Sequence, residues 1–452
     1  MIVRGILAFG LGLSCANALA SGETPLKPEA LSTLAAEVSA SRIESDVRTL
    51  VGFGTRHTLS DTQSESRGIG AARRWIKRTF EEISGTCGGC LEVTTQSRIF
   101  SGEARIPDAT EVVNVLAILP SATPTDRYIV MSGDIDSRVS DPLDGLSDSP
   151  GANDNASGMA GVIEAARVLS QHRFNAHLVF AGLSGEEQGL FGGKILAESA
   201  RAQGWFIQAV LNNDMIGNIH GQNGVIDNRT VRVFSEATRP METEEERRWR
   251  RFFGGENDGP SRNLARYIES LADAHLPHLD VMMVYRLDRF GRGGHHRPFN
   301  EVGYPAVRLM ETNEHYHRQH QDLRIEDGIR YGDTLDGVDF EYARSVTGLN
   351  VIALAGLASA PEPPRQVTLT GQVSPDTTLK WERVPGASGY RIHWRLTSEA
   401  KWRWSVPVGD VSEHTLKNVV IDNYLFGVSS ETDTGMSSPV VFPGPVGRVR
   451  YE

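Results

Sequence analysis

Acidic residues recur in short, separate clusters of this chain: Asp134 and Asp136 in MSGDIDSR, Asp154 in PGANDNASG, Glu186 and Glu187 in SGEEQG, and Asp214 in NNDMIG. Further on, EHYHRQH sets Tyr316 and His317 side by side, with His315 and His320 as neighbours and the pair His295 and His296 upstream. Crowded carboxylates repel unless something positive holds them. Carboxylates and imidazoles together form a donor set for divalent metals. Two such ions about 3.5–4 Å apart can share a bridging carboxylate and a bridging water. Each ion lowers the pKa of that water, and a free carboxylate can carry its proton to a leaving amine. The types and spacing therefore suit hydrolysis of amide bonds.

Such residues need elements to bring them together. LEVTTQSRIF, EVVNVLAILP, RYIVMSGDID, AHLVFAGLS, GWFIQAVLNNDMIGN and YPAVRLME read as apolar strands. Helical runs lie between several of them. In ESRGIGAARRWIKRTFEEI, residues Ile69, Ala72, Trp75, Ile76 and Phe80 share a face, as do Met159, Val162, Ile163, Ala166 and Leu169 in NASGMAGVIEAARVL. Strands alternating with helices predict an α/β fold with a mainly parallel or mixed sheet flanked by helices. Sites in such folds form at the carboxyl ends of the strands. Asp134, Asp136, Glu186, Glu187 and Asp214 all fall at or just beyond strand ends, and Asp154 opens a helix, where the dipole favours an anion. Any one of these acids alone would be an ordinary turn residue; the shared edge is what argues for a site.

The motifs PGANDNASG, SGEEQGLFGG, NNDMIGN and YH, in this order, resemble the co-catalytic zinc aminopeptidases of clan MH, the secreted bacterial leucyl-aminopeptidase-like group. Glutamate carboxypeptidases and glutaminyl cyclases share that fold. The resemblance spans roughly residues 42–357. It implies two divalent ions, zinc in the family, with Asp154 as the bridging ligand, Glu187, Asp214 and His317 as further ligands, Glu186 as general base, and Tyr316 as donor to the developing oxyanion. The Tyr-His order selects His317 over His315, His320, His295 and His296. One departure stands out: the family has His-x-Asp where this chain has DID, so Asp134 replaces an expected histidine ligand and Asp136 stands where an aspartate would orient it. Asp134 coordinating directly is the favoured outcome, giving an all-oxygen site of Asp134, Asp154 and Asp214 in which Mn²⁺ or Mg²⁺ competes with Zn²⁺. A single zinc, or a disabled centre, are the alternatives.

The rest of the chain frames this. It has 452 residues, 39% of them hydrophobic, and a formal net charge of −11, which argues against nucleic acid as the main partner. MIVRGILAFGLGLSCANALASG reads as a signal peptide ending at Ala20, placing the protein in the periplasm or outside the cell. No other stretch is long and apolar enough for a membrane span. Residues 21–40 look like a loose leader, and residues 42–358 like the catalytic domain. Cys87 and Cys90 in GTCGGC suit a disulfide staple. Residues 218–300 interrupt the alternation and suit a wall or lid over the site, with METEEERRWRRFF as a charged helix paired through Glu244–Arg248 and Glu246–Arg250.

ASAPEPPRQ reads as a Pro-rich linker, at residues 359–365. After it, residues 366–445 show short alternating runs that resemble a fibronectin type III β-sandwich, with Trp381, Tyr390 and Trp394 in its core and Tyr424 as a corner tyrosine. A module of this kind binds or spaces, its partner a protein or a carbohydrate. The functional expectation is an aminopeptidase acting on peptides. Carboxypeptidase action stays open through Arg138, Arg292 and Arg297, and a non-catalytic binding protein is the reading from another class.

Overall fold

The structure is a computed structural model and describes residues 26–449. The expected signal peptide lies outside the described residues. An eight-stranded sheet organises the first part of the chain. Its strands are β1 (Glu92–Phe100), β2 (Thr110–Leu119), β3 (Arg127–Asp134), β4 (His177–Leu183), β5 (Phe206–Asn213), β6 (Thr230–Ser235), β7 (Asp280–Val284) and β8 (Ala306–Glu311), in the order β1-β2-β4-β3-β5-β8-β6-β7. The centre, β4-β3-β5-β8, is parallel, while β1, β2 and β6 run antiparallel to their inner neighbours. The sheet is therefore mixed.

The central strands are apolar on both faces because helices cover both. Ile129, Met131, Leu178, Phe180, Ala209 and Leu211 point into one core with Ile163, Val346 and Leu349 from the helices Gly158–Leu169 and Phe340–Ser359. The alternate residues Val130, Val179, Ala181, Ile207 and Val210 point into the other, against Leu196 and Phe299 from the helices Phe191–Ala202 and His296–Glu301. The helix Gly68–Thr86 buries Ile69, Ala72, Ile76 and Phe80 as expected, with Trp75 against Phe53. Cys87 and Cys90 form the expected disulfide across a Gly-Gly turn with positive φ at both glycines.

Some expectations change. Residues 30–37 are a helix that buries Leu31 and Leu34, so the segment before residue 40 is part of the core. Residues 218–300 extend the sheet through β6 and β7 and add the helix Pro260–His275. In the charged helix Glu244–Phe253 the expected Glu246–Arg250 pair does not form. Glu246 instead closes a capping box with Thr243, and Arg250 pairs with Glu242 at 2.8 Å. Residues 361–364, the expected linker, are buried.

Beyond them stand two three-stranded antiparallel sheets, Arg365–Thr370/Thr377–Glu382/Glu413–Leu416 and Trp404–Gly409/Gly389–Leu396/Tyr424–Glu431. They enclose Trp381, Tyr390, Ile392 and Phe426. Tyr390, rather than Tyr424, ties a corner, its hydroxyl accepting from the Val384 N–H at 2.8 Å.

Parallel β3 ends where the helix Gly158–Leu169 begins, and the two backbones touch. A Cβ at Gly133 would stand 2.7 Å from the Gly158 carbonyl carbon and 2.8 Å from the Met159 nitrogen. Gly133→Ala should force strand and helix apart and cost about 1–3 kcal/mol, as overpacking does. A lowered urea midpoint with an unchanged slope checks this.

Candidate metal and catalytic centre

The four parallel strands deliver their carboxyl ends to one edge of the sheet. β3 ends at Asp134, and Asp136 follows two residues on. β4 leads through Ser184 and Gly185 into Glu186 and Glu187, β5 leads into Asp214, and β8 leads into the loop that carries His320. Asp154 arrives from the turn before the helix Gly158–Leu169, held by Asp333, whose carboxylate accepts the Asp154 N–H at 2.7 Å.

Asp154, Glu187 and His320 converge. His320 Nε2 lies 3.0 Å from Asp154 Oδ2 and 2.9 Å from Glu187 Oε1, and the three prospective ligand atoms lie within 4.8 Å of one another. Among the described residues no other group of three histidine, cysteine or acidic side chains meets that condition. One imidazole and two carboxylates with a fourth position open fit a catalytic zinc. Arg138 braces the set, its Nε 2.7 Å from Glu187 Oε2 and its Nη2 2.7 Å from His320 Nδ1.

The charges here respond to one another. Burial works against a proton on His320, but the Glu187 and Asp154 carboxylates outweigh it and hold the ring up to about 9. Burial would raise Asp154, yet the His320 hydrogen bond and charge, with Arg289 and Arg292, hold it below the usual carboxylate range. Glu187 is likewise brought down despite burial, chiefly by His320. Glu186 behaves oppositely. Burial, then the charges of Glu187, Asp214, Asp134 and Asp154, push it well above the carboxylate range. Its carboxylate accepts no hydrogen bond among the described residues.

The structure places several expected site residues differently. His317 stands apart from the acids, its Nε2 3.1 Å from Gln222 Nε2 and its ring edge-on to Tyr331. Tyr316 is 57% exposed, and only its backbone N–H is held, by Gln222 Oε1. The loop turns sharply after them, with His320 at a φ of 53°, and this bend swings His320 to the acids. Asp136 orients no histidine: it accepts the Glu186 and Glu187 N–H groups at 3.2 and 3.1 Å and the Thr58 hydroxyl at 3.2 Å.

Asp134 and Asp214 join no ligand group. Asp134 Oδ1 lies 2.5 Å from His295 Nδ1, and its Oδ2 accepts from Asn155 Nδ2 at 2.7 Å. Burial pushes His295 down to about 4, and burial with the nearby charges of Asp214 and Asp136 raises Asp134 well above its usual range. Asp214 pairs with Arg308 at 2.8 Å, and burial holds it up at about 6 despite that guanidinium. Arg308 and His320 as a ligand were missed in the sequence. A lone arginine inside the apolar run AVRLME was the available signal for the first, and nothing separated His320 from its loop neighbours.

Two outcomes check the assignment. His320→Ala should abolish zinc retention measured by elemental analysis, while His317→Ala should leave it unchanged. The pH dependence has a definite sign. His320 is raised above its ordinary value, so it holds a proton throughout the neutral range, and zinc must displace it. Apparent zinc affinity in a chelator competition should therefore rise about tenfold per pH unit from 6 to 8.

The chain matches the model of Peptidase family M28 over residues 114–329. A Leptosphaeria maculans protein described as "Probable zinc metalloprotease" is 40% identical over 424 residues, covering 93% of this chain and 98% of that one. A Pyricularia oryzae protein of the same description is 41% identical over 418 residues, covering 90% and 83%. Among solved structures, the LapA aminopeptidase of Legionella pneumophila has a TM-score of 0.53 at 20% identity, covering 75% of this chain and 78% of that one, which is a likeness of fold. With relatives at this identity along nearly its whole length, the chain belongs to Peptidase family M28.

Proposed function

We propose that this protein is a secreted, zinc-dependent aminopeptidase, with zinc held by Asp154, Glu187 and His320 and with Glu186 as general base. The observation that carries the proposal is the convergence of those three ligands beside a fourth carboxylate, Glu186, that is half-buried and unpartnered. Zinc, when bound there, supplies a Lewis acid that polarises a carbonyl and makes a water acidic enough to give up a proton near neutrality.

The chain's own residues supply the rest. Asp136 holds the N–H groups of Glu186 and Glu187, and of the two neighbouring side chains Glu187 reaches His320 while Glu186 is left without a partner. A carboxyl raised above its ordinary range is matched to taking a proton from water near neutral pH and giving it to the leaving amine. Arg138 fixes Glu187 and His320 from behind.

The direction of attack follows from charge. With Asp134 held by His295 and Asn155 and Asp214 by Arg308, Glu186 is the acid left without a cation beside the zinc ligands, which suits the ammonium of a peptide N-terminus. Of the arginines considered for a substrate carboxylate, Arg138 is engaged by Glu187, and Arg297 lies 3.5 Å from Glu301 at the surface. Arg292 is part-exposed and its charge reaches Asp154, which is what favours the carboxypeptidase reading. The LapA neighbour is described as an aminopeptidase, and the Cys87–Cys90 disulfide fits an oxidising compartment. The C-terminal sheets suit a fibronectin type III-like binding module.

Glu186→Gln should lower kcat by about 10²–10⁴-fold with zinc content unchanged. Peptides with acetylated N-termini should resist the wild type, while amidated C-termini should be cut from the other end, with products followed by mass spectrometry. Cleavage of the acetylated peptide alone would establish the carboxypeptidase reading instead.

A further inference from the structure

Asp154 has two sides. One faces Glu187 and His320. The other lies near Asp214 and Glu186, whose charges Asp154 feels, with Asp134 beside them, an arrangement of acids that calls for a cation. The chain provides one itself. Arg308 stands in the middle of β8 with no exposure, and its Nη2 lies 2.8 Å from Asp214 Oδ2. Its Nη1 donates to both oxygens of Asp288, at 3.0 and 2.9 Å, and to the Gly293 carbonyl at 3.0 Å. Gly294 leaves the room: a Cβ there would stand 3.1 Å from Asn212 Oδ1 and 3.4 Å from Arg308.

Asp134 is committed as well. Asp134 has a partner on each oxygen, His295 on one side and Asn155 on the other. His295 itself is fully buried. A metal at this place would have to displace His295 or Asn155 from Asp134 and share Asp214 with a guanidinium that keeps its charge at any working pH. It would also sit beside that fixed positive charge in a buried, weakly screened setting.

We infer that Arg308 is a built-in cation standing where a second metal ion would bind, so that the centre holds one zinc. This rests on the zinc assignment proposed above. Arg308 is a positioning residue: it neutralises and orients Asp214 and keeps a fixed positive charge within reach of Glu186. The Asp134–His295 contact, at 2.5 Å between Oδ1 and Nδ1, completes the replacement.

The test is the number of zinc ions per folded chain, measured by elemental analysis on full-length protein after equilibration with excess zinc and removal of free metal. The expected values are one for the wild type, one for Arg308→Lys and one for Asp214→Asn. The combination of Asp134→His with Arg308→Met, which installs an imidazole ligand and removes the cation, should raise the count to two. Two zinc ions in the wild type would overturn the inference, as would one in the folded double variant. If that variant does not fold by circular dichroism, Asp214→Asn decides: a fall in zinc content would make Asp214 a ligand and sink the idea. Failure of the underlying assignment looks different, as no zinc in the wild type or as zinc retained by His320→Ala.

Discussion

Burying a negative charge without compensation is among the most expensive things a fold can do, and this one brings six carboxylates to a single edge of its sheet. The cause is topological. β4, β3, β5 and β8 run parallel, so their carboxyl ends and the acids that follow them meet at one place. Each acid is then compensated differently, and the means of compensation decides its role. Asp136 is satisfied by backbone N–H groups and becomes scaffold. Asp134 is taken up by His295 and Asn155, one on each oxygen, and becomes lining. Asp214 receives a guanidinium. Asp154 and Glu187 receive an imidazole, and an imidazole is the one of these partners that can hand its place to a metal and become a ligand itself. Glu186 receives nothing, which is why its proton affinity rises.

Adjacent acids with opposite fates need a sharp backbone. Gly185 is left-handed, at a φ of 74°, and the turn Glu186–Gly189 that follows ends at Leu190, also left-handed at 64°. Asp136 clamps the two N–H groups at the start of that turn. The aspartate in DID thus acts on a different loop from the one its sequence position suggests. It fixes the backbone of Glu186 and Glu187 together, so one buried carboxylate sets where both side chains start.

Much of this was legible in the sequence, for a simple reason. A strand end is local, so an acid just past an apolar run announces its own place in a parallel sheet; Asp134, Glu186, Glu187 and Asp214 were all readable that way. Their partners were not, because partnership is settled in three dimensions. His320 lies three residues beyond His317, and only the left-handed bend at His320 distinguishes them. Arg308 interrupts an apolar strand, and only its partners Asp214 and Asp288, distant in sequence, give it a reason to be there. β6 and β7 went unread because TVRVFS and DVMMV are short strands on the β8 side of the sheet, embedded in charged sequence that reads as a lid. Composition misled at PEPP for the same kind of reason: proline marks a chain that cannot be helix, and says nothing about whether it is packed.

That packing changes what the C-terminal sheets are in mechanical terms. Residues 361–364 are buried, and the Ser430 hydroxyl donates to the Glu362 carbonyl at 2.7 Å. Met436 contributes to the same apolar core as the helix Phe340–Ser359. Deeper still, Asp258 from the catalytic part accepts from Arg395 at 2.7 Å and from Arg266 at 3.2 Å, with all three side chains almost fully buried. Breaking a buried pair of this kind costs about 3–5 kcal/mol, because it strands a charge away from water. A freely hinged module would have to pay that at every excursion. The C-terminal sheets are therefore a fixed wall of the molecule, and whatever they contact is held in a set orientation to the metal edge.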